Sequence, residues 1–212
     1  MLSINQAKAW YRHDDPVHGF DHILRVLALA ELIAKKEGAD LEIVSAAALL
    51  HDASGGDLEE GKRENHHEAS ADFARKILLK EGWPADRIGL VIDCIHAHRY
   101  RGETKANSLE AKILYDADKL DVLGAFGIAR TVAYAVQAGQ SIFAEVSKQF
   151  METGQVEESE GHSAYHEYIF KLSKVAASLH TETAKKMANK RHALLTSFFE
   201  ALAEEADLSK GQ

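Results

Sequence analysis

The sequence predicts an all-α fold, on three observations. Its 212 residues contain only two prolines, Pro16 and Pro84. Apolar residues recur at helical spacing almost throughout, and no stretch alternates apolar with polar as a half-buried strand would. At 46% hydrophobic and 27% charged the composition is that of an ordinary globular protein. The length allows one domain or at most two small ones, with a real core. The expected architecture is a single domain over 1–212, with a chemistry-bearing core at about 18–121 and helices at about 163–205 packed around it.

A first helix is expected over 3–12, broken at Asp14-Asp15-Pro16. A second runs from about His18 to Glu37, with Ile23, Val26, Leu27, Ala30, Ile33 and Ala34 on one side and Gly38 as its stop. Asp40 is placed to cap a third, which reaches Asp52. Residues 53–65 are polar and glycine-rich, hence a loop. A fourth helix spans about 66–81. Gly82-Trp83-Pro84 breaks the chain, with Pro84 suited to the first turn of a fifth helix that ends near Arg99. After the loop 101–107, Ser108 is the expected cap of a sixth helix, which carries Asp118. Gly124, Gly127 and Gly139 bend or segment the chain beyond that helix. Residues 152–161 are expected to be acidic and flexible, and two long helices, about 163–180 and 182–205, close the chain. There is no internal repeat, and the loops are too short for domain linkers.

The net charge of -8 argues against a general nucleic-acid or acidic-membrane binder, though not against a small phosphorylated ligand held by a few local cations. A single cysteine, Cys94, excludes an internal disulfide and fits a reducing compartment as a packed thiol. No apolar run approaches the roughly 18 residues that span a bilayer. The first ten residues lack a basic region followed by an apolar block, so they do not form a secretory signal. The expected location is the cytoplasm.

The most informative feature is the pair His51-Asp52. It closes the apolar run Ala46-Ala47-Ala48-Leu49-Leu50, and so sets an imidazole and a carboxylate at the end of a buried helix. Buried charge is normally paired or bound to a metal. His22 stands on a second apolar helix, in His18-Gly-Phe-Asp-His22, and Asp118 lies in Asp116-Ala117-Asp118-Lys119-Leu120-Asp121. With Arg25-Val26 and the segment Gly124-Ala-Phe-Gly-Ile-Ala-Arg130, these motifs and the helical tail from Tyr165 to Glu204 resemble the HD-domain superfamily of metal-dependent phosphohydrolases. More narrowly, they resemble its bacterial branch of YpgQ-like nucleotide pyrophosphohydrolases.

The resemblance implies a helical fold and one divalent ion on His22, His51, Asp52 and Asp118, with Asp52 also catalytic. On an ideal helix His51 and Asp52 point about 100° apart, so both reach one ion only if it sits beside the helix end. Two imidazoles and two carboxylates suit Mn, Fe, Co, Ni, Zn or Mg, with Mn favoured; a structural zinc site is excluded by the lack of cysteine ligands. Periodicity leaves Asp116 and Asp118 open, and the family pattern favours Asp118. Asp116 is then a cap or orients a ligand histidine.

Other residues carry more open readings. His18 lies one turn before His22, and either contacts substrate or packs at the helix start. Asp21 is solvated or supports the metal ligands from behind. Arg25 holds an acid or phosphate, or forms a surface pair. His66, His67, His96 and His98 form a second group; related proteins with two metals use extra histidines in such stretches. His96 and His98 face opposite sides of a regular helix, so only one reaches the site unless the helix ends there. The resemblance points to His98 and His67 as acid, water holder or phosphate donor. Phosphate also needs cations: Arg99, Lys119 and Arg130 are the substrate-binding candidates, with Arg101, Lys105, Lys62 and Arg63 nearby in sequence. Phe198, Phe199 and Leu202 are core positions rather than a base-stacking platform.

The expected function is hydrolysis of a nucleotide or related phosphorylated metabolite, and by resemblance nucleoside triphosphate to monophosphate and pyrophosphate. The expected partner is that small substrate, with no nucleic-acid polymer or membrane; a homodimer is left open. Two other readings stay open: a di-iron oxygenase on the same scaffold, and a non-catalytic nucleotide-sensing module.

Overall fold

A computed structural model of the chain describes residues 2–11, 19–53, 66–98 and 105–208, with the backbone only at His66 and His67. Among these residues the structure is helical apart from turns and one isolated bridge, Ser141 to Ser163. The chain folds into two compact units. The first comprises residues up to Asp118 together with Leu179–Ala184; the second comprises Lys119–Ser178 and residues from Lys185 onward. No helix among the described residues is long and apolar enough to cross a membrane.

The first unit is built around α3 (Leu41–Leu50), whose residues from Ile43 to Leu50 are all buried. A helix apolar all round must lie inside a bundle. Around it pack α1 (Ile4–Lys8), α2 (Phe20–Glu37), α4 (His66–Lys80) and α5 (Ala85–Ala97). Asp40 caps α3 as expected: its Oδ1 accepts from the amides of Glu42 and Ile43 at 3.0 and 3.1 Å. Arg87 of α5 ties down the same cap, with bonds to Asp40 at 2.9 and 3.2 Å and to Glu42 at 2.8 Å. That contact lowers the Asp40 carboxyl below its usual value. Gly38 ends α2 at φ 78°, a left-handed turn in which its N–H reaches back to Ala34 O. The expected first helix is shorter than 3–12: it stops at Lys8, and Tyr11 lies beyond it in a bend.

Helix α6 (Leu109–Asp121) is capped by Ser108, whose Oγ accepts from the Ala111 amide at 3.1 Å. Its Asp116 is a cap rather than a site residue. The carboxylate accepts from the His180 amide (2.8 Å), the Thr181 amide (2.7 Å) and Thr181 Oγ1 (2.7 Å), and so anchors residues 179–184 within the first unit.

In the second unit Gly124, at φ 70°, turns the chain into α7 (Gly124–Gln137). Two sequence expectations need correction here. Residues 152–161 are not a loose acidic loop. They begin in α8 (Lys148–Thr153), and Glu160 then accepts from the Ser147 amide (2.6 Å), Ser147 Oγ (2.7 Å) and the Glu157 amide (2.8 Å). Nor is 163–180 one long helix. It is α9 (Ala164–Glu167), a π turn (Tyr168–Leu172), α10 (Ser173–Val175) and a 3-10 turn (Ala176–Ser178). Widening the turn shifts the side-chain period and seats Tyr168 flat against Phe199 of α11 (Glu182–Leu208), ring centroids 4.6 Å apart.

Candidate metal centre

The site grows from the C-terminal end of α3. A helix leaves its last carbonyls without partners, and here three successive ones are taken by three different donors. Ala48 O receives His51 Nδ1–H at 2.9 Å, Leu49 O receives the Tyr11 hydroxyl at 2.8 Å, and Leu50 O receives the Ala53 amide at 3.1 Å. A carbonyl can only accept, so Nδ1 is the protonated nitrogen of neutral His51 and the lone pair lies on Nε2. His51 is fully buried and its Nε2 makes no hydrogen bond. Burial pushes its pKa down, against the pull of Asp52. The result is a neutral imidazole with a bare, inward nitrogen, the state a metal ligand must have.

Other side chains converge on that nitrogen. His22, buried on α2, sets its Nε2 3.5 Å from Asp118 Oδ1 and 3.9 Å from Asp52 Oδ2. Asp52 Oδ2 also lies 3.5 Å from His51 Nε2. One ligand atom each from His22, His51 and Asp118 falls within 4.8 Å of the other two. Atoms bound at about 2.1 Å to one ion stand roughly 3–4 Å apart, so these separations fit a shared cation, and two imidazoles with two carboxylates suit a divalent one. Asp52 is the most accessible of the four, at 25% side-chain exposure.

His98 is the fifth group. It ends α5, is buried, and gives its Nδ1–H to Ile95 O, which puts the lone pair of the neutral ring on Nε2. That nitrogen lies 3.6 Å from Asp52 Oδ1, and the ring centroid 5.2 Å from that of His51. His96 turns the other way, to Glu68 at 3.5 Å. His98, the C-cap of α5, keeps helical dihedrals (φ -75°, ψ -16°), so the helical period still separates the two and only His98 turns to Asp52.

The remaining candidates divide. His18 and Arg99 lie outside the described residues, as do Arg101, Lys62 and Arg63; His67 stands on α4 with its side chain outside them. Lys119 and Arg130 belong to the second unit. Lys119 is buried, and Arg130 pairs with buried Asp121 at 2.7 Å. Arg25 pairs with Asp21 at 2.6 Å. Cys94 is buried, which, with Glu110 and Asp93 nearby, pushes its thiol up to about 12 and leaves it inert. Tyr11 was not singled out by the sequence, where nothing links it to a carbonyl 38 positions away.

Comparison with known proteins identifies the family. The HD domain family matches residues 19–123, the span that holds all five groups. YpgQ of Bacillus subtilis is 32% identical over 211 residues, covering 97% of this chain and 94% of YpgQ. A crystal structure of YpgQ in complex with ADP superposes with a TM-score of 0.73 at 28% identity, over 96% of this chain and 97% of that one. An HD-superfamily hydrolase from Bacillus thuringiensis gives 0.70 at 26% identity, over 96% and 94%. With the fold, the clustered side chains and a near full-length relative in agreement, the chain belongs to the HD-domain family.

Proposed function

We propose that this protein is a divalent-metal-dependent phosphohydrolase acting on a nucleotide or related phosphorylated metabolite, with nucleoside triphosphate cleaved to monophosphate and pyrophosphate as the leading reaction. The observation that carries it is the buried convergence of His22, His51 and Asp118, with the bare Nε2 of His51 among them. The ADP complex of YpgQ supports a nucleotide ligand.

His22, His51, Asp52 and Asp118 would hold the ion, and manganese is the first choice. When bound, such an ion lowers the pKa of water and offsets charge on the phosphoryl group. The chain's own groups do the rest. The more open Asp52 carboxylate orients the attacking water and takes its proton. His98, with Nε2 turned to Asp52, is assigned to relay that proton to the oxygen that leaves as the phosphorus–oxygen bond breaks. His67 is assigned to hold a phosphate oxygen or water. His18, Arg99, Lys119 and Arg130 are the groups assigned to bind the phosphates.

The test is a screen of chelator-stripped protein against metals and phosphorylated substrates, with phosphate and pyrophosphate release scored separately. Turnover is expected with Mn and a nucleoside triphosphate, with pyrophosphate as product. Asp52→Ala should lose bound metal and at least a hundredfold in rate; full activity in that variant rejects the assignment. Oxygen consumption with two irons per chain, or tight nucleotide binding without turnover in any metal, would replace the proposal by the oxygenase or the sensor.

A further inference from the structure

We infer that the Tyr11 hydroxyl is a positioning group for the His51-Asp52 pair, and so sets the metal affinity of the site; the inference rests on the metal-centre reading above. The phenol donates to Leu49 O at 2.8 Å. The phenol also lies close enough to Asp52 to feel its charge. One hydroxyl thus pins the last turn of α3 just before the doublet, and the carbonyl there is held by a group from outside the helix.

The arrangement is built rather than incidental. The ring packs on Phe20, the first residue of α2, at 5.5 Å between centroids, and the preceding Trp10 packs edge-on against Phe73 of α4 at 5.8 Å. The segment after α1 is therefore anchored on both sides, and the hydroxyl has little freedom to leave Leu49. Burial and the nearby Asp52 charge both oppose ionisation of the phenol. The carbonyl before that of Leu49, on Ala48, orients His51, so two adjacent carbonyls at the end of one helix, each held by a ring donor, lead into the doublet. Partners behind the ligands of this kind change metal affinity by about 10–100-fold when removed.

Tyr11→Phe keeps the ring and removes only the hydroxyl. Calorimetric titration with Mn is expected to show at least a tenfold weaker Kd, and the visible absorption of the Co-loaded protein should change in shape. A purely structural hydroxyl would lower the melting temperature of the metal-free protein and leave Kd and spectrum alone; that result overturns the inference. Asp52→Ala, run in parallel, separates the two levels. If it binds Mn like the parent, the metal-centre reading itself fails. If it loses Mn while Tyr11→Phe does not, only the role of Tyr11 fails.

Discussion

Two fully buried histidines show how a proton decides what a residue is for. His166 has both ring nitrogens engaged: Nδ1 with Ser163 Oγ at 2.7 Å and Nε2 with Glu160 Oε1 at 3.0 Å. His51 has one engaged and one bare. The first is a fastener, the second a candidate ligand, and residue type alone does not separate them. Partial burial would push Glu160 up, but four hydrogen bonds, from the Ser147 and Glu157 amides, Ser147 Oγ and His166, outweigh it and bring its pKa down from 4.5 to about 2. A carboxylate depressed by folding contributes stability that is complete above its ordinary value and is lost as the pH falls toward the folded one. The melting temperature of the parent should therefore exceed that of Glu160→Gln at neutral pH, with the gap closing between about pH 4.5 and 2. A gap undiminished at pH 2.5 would show that the bonds do not depend on the charge.

At the scale of elements, α3 is both the core of the first unit and the carrier of the doublet, so its start and end matter separately. Asp40→Ala removes the cap and an anchor for Arg87; urea unfolding should show a loss of about 1–2 kcal/mol. Asp40→Asn retains the cap and gives up only part of a half-exposed ion pair, a loss of about 1 kcal/mol or less. Equal losses in the two variants would place the effect in the ion pair. The cap was legible in advance because Asp40 and the apolar run from Leu41 lie within one turn. So were the stop at Gly38 and the cap at Ser108. The break in 163–180 was not, because a π turn leaves the spacing of apolar residues close to helical, and only the packing of Tyr168 on Phe199 shows where the phase shifts. The order imposed by Glu160 was hidden for a similar reason: an acidic segment looks solvated until its amide donors are in place.

At the scale of the whole molecule, the chain passes between its two units three times, inside α6 after Asp118, after Ser178, and inside α11 after Ala184. We propose that residues 1–212 nonetheless form one domain. Thermal unfolding followed by far- and near-ultraviolet circular dichroism should then give one coincident transition; two separable transitions would make the units independent. The set His22, His51-Asp52, Asp118 was legible from its resemblance to the family pattern, since periodicity alone leaves Asp116 and Asp118 open. The acceptors behind those side chains, and the hydroxyl from residue 11, were not, since backbone carbonyls leave no mark in the order of side chains.

Asp116 has a consequence for anyone wishing to trim this protein. The span that marks the family ends at residue 123, yet the three donors that neutralise the appetite of a buried carboxylate come from residues 180 and 181. A shortened polypeptide that retained every signature residue would leave that acid starved of donors, two positions from Asp118 and on the same helix. The recognisable part of the chain and the part able to stand alone are therefore different lengths, and an excised signature fragment would be expected to lose its fold at the helix that carries Asp118.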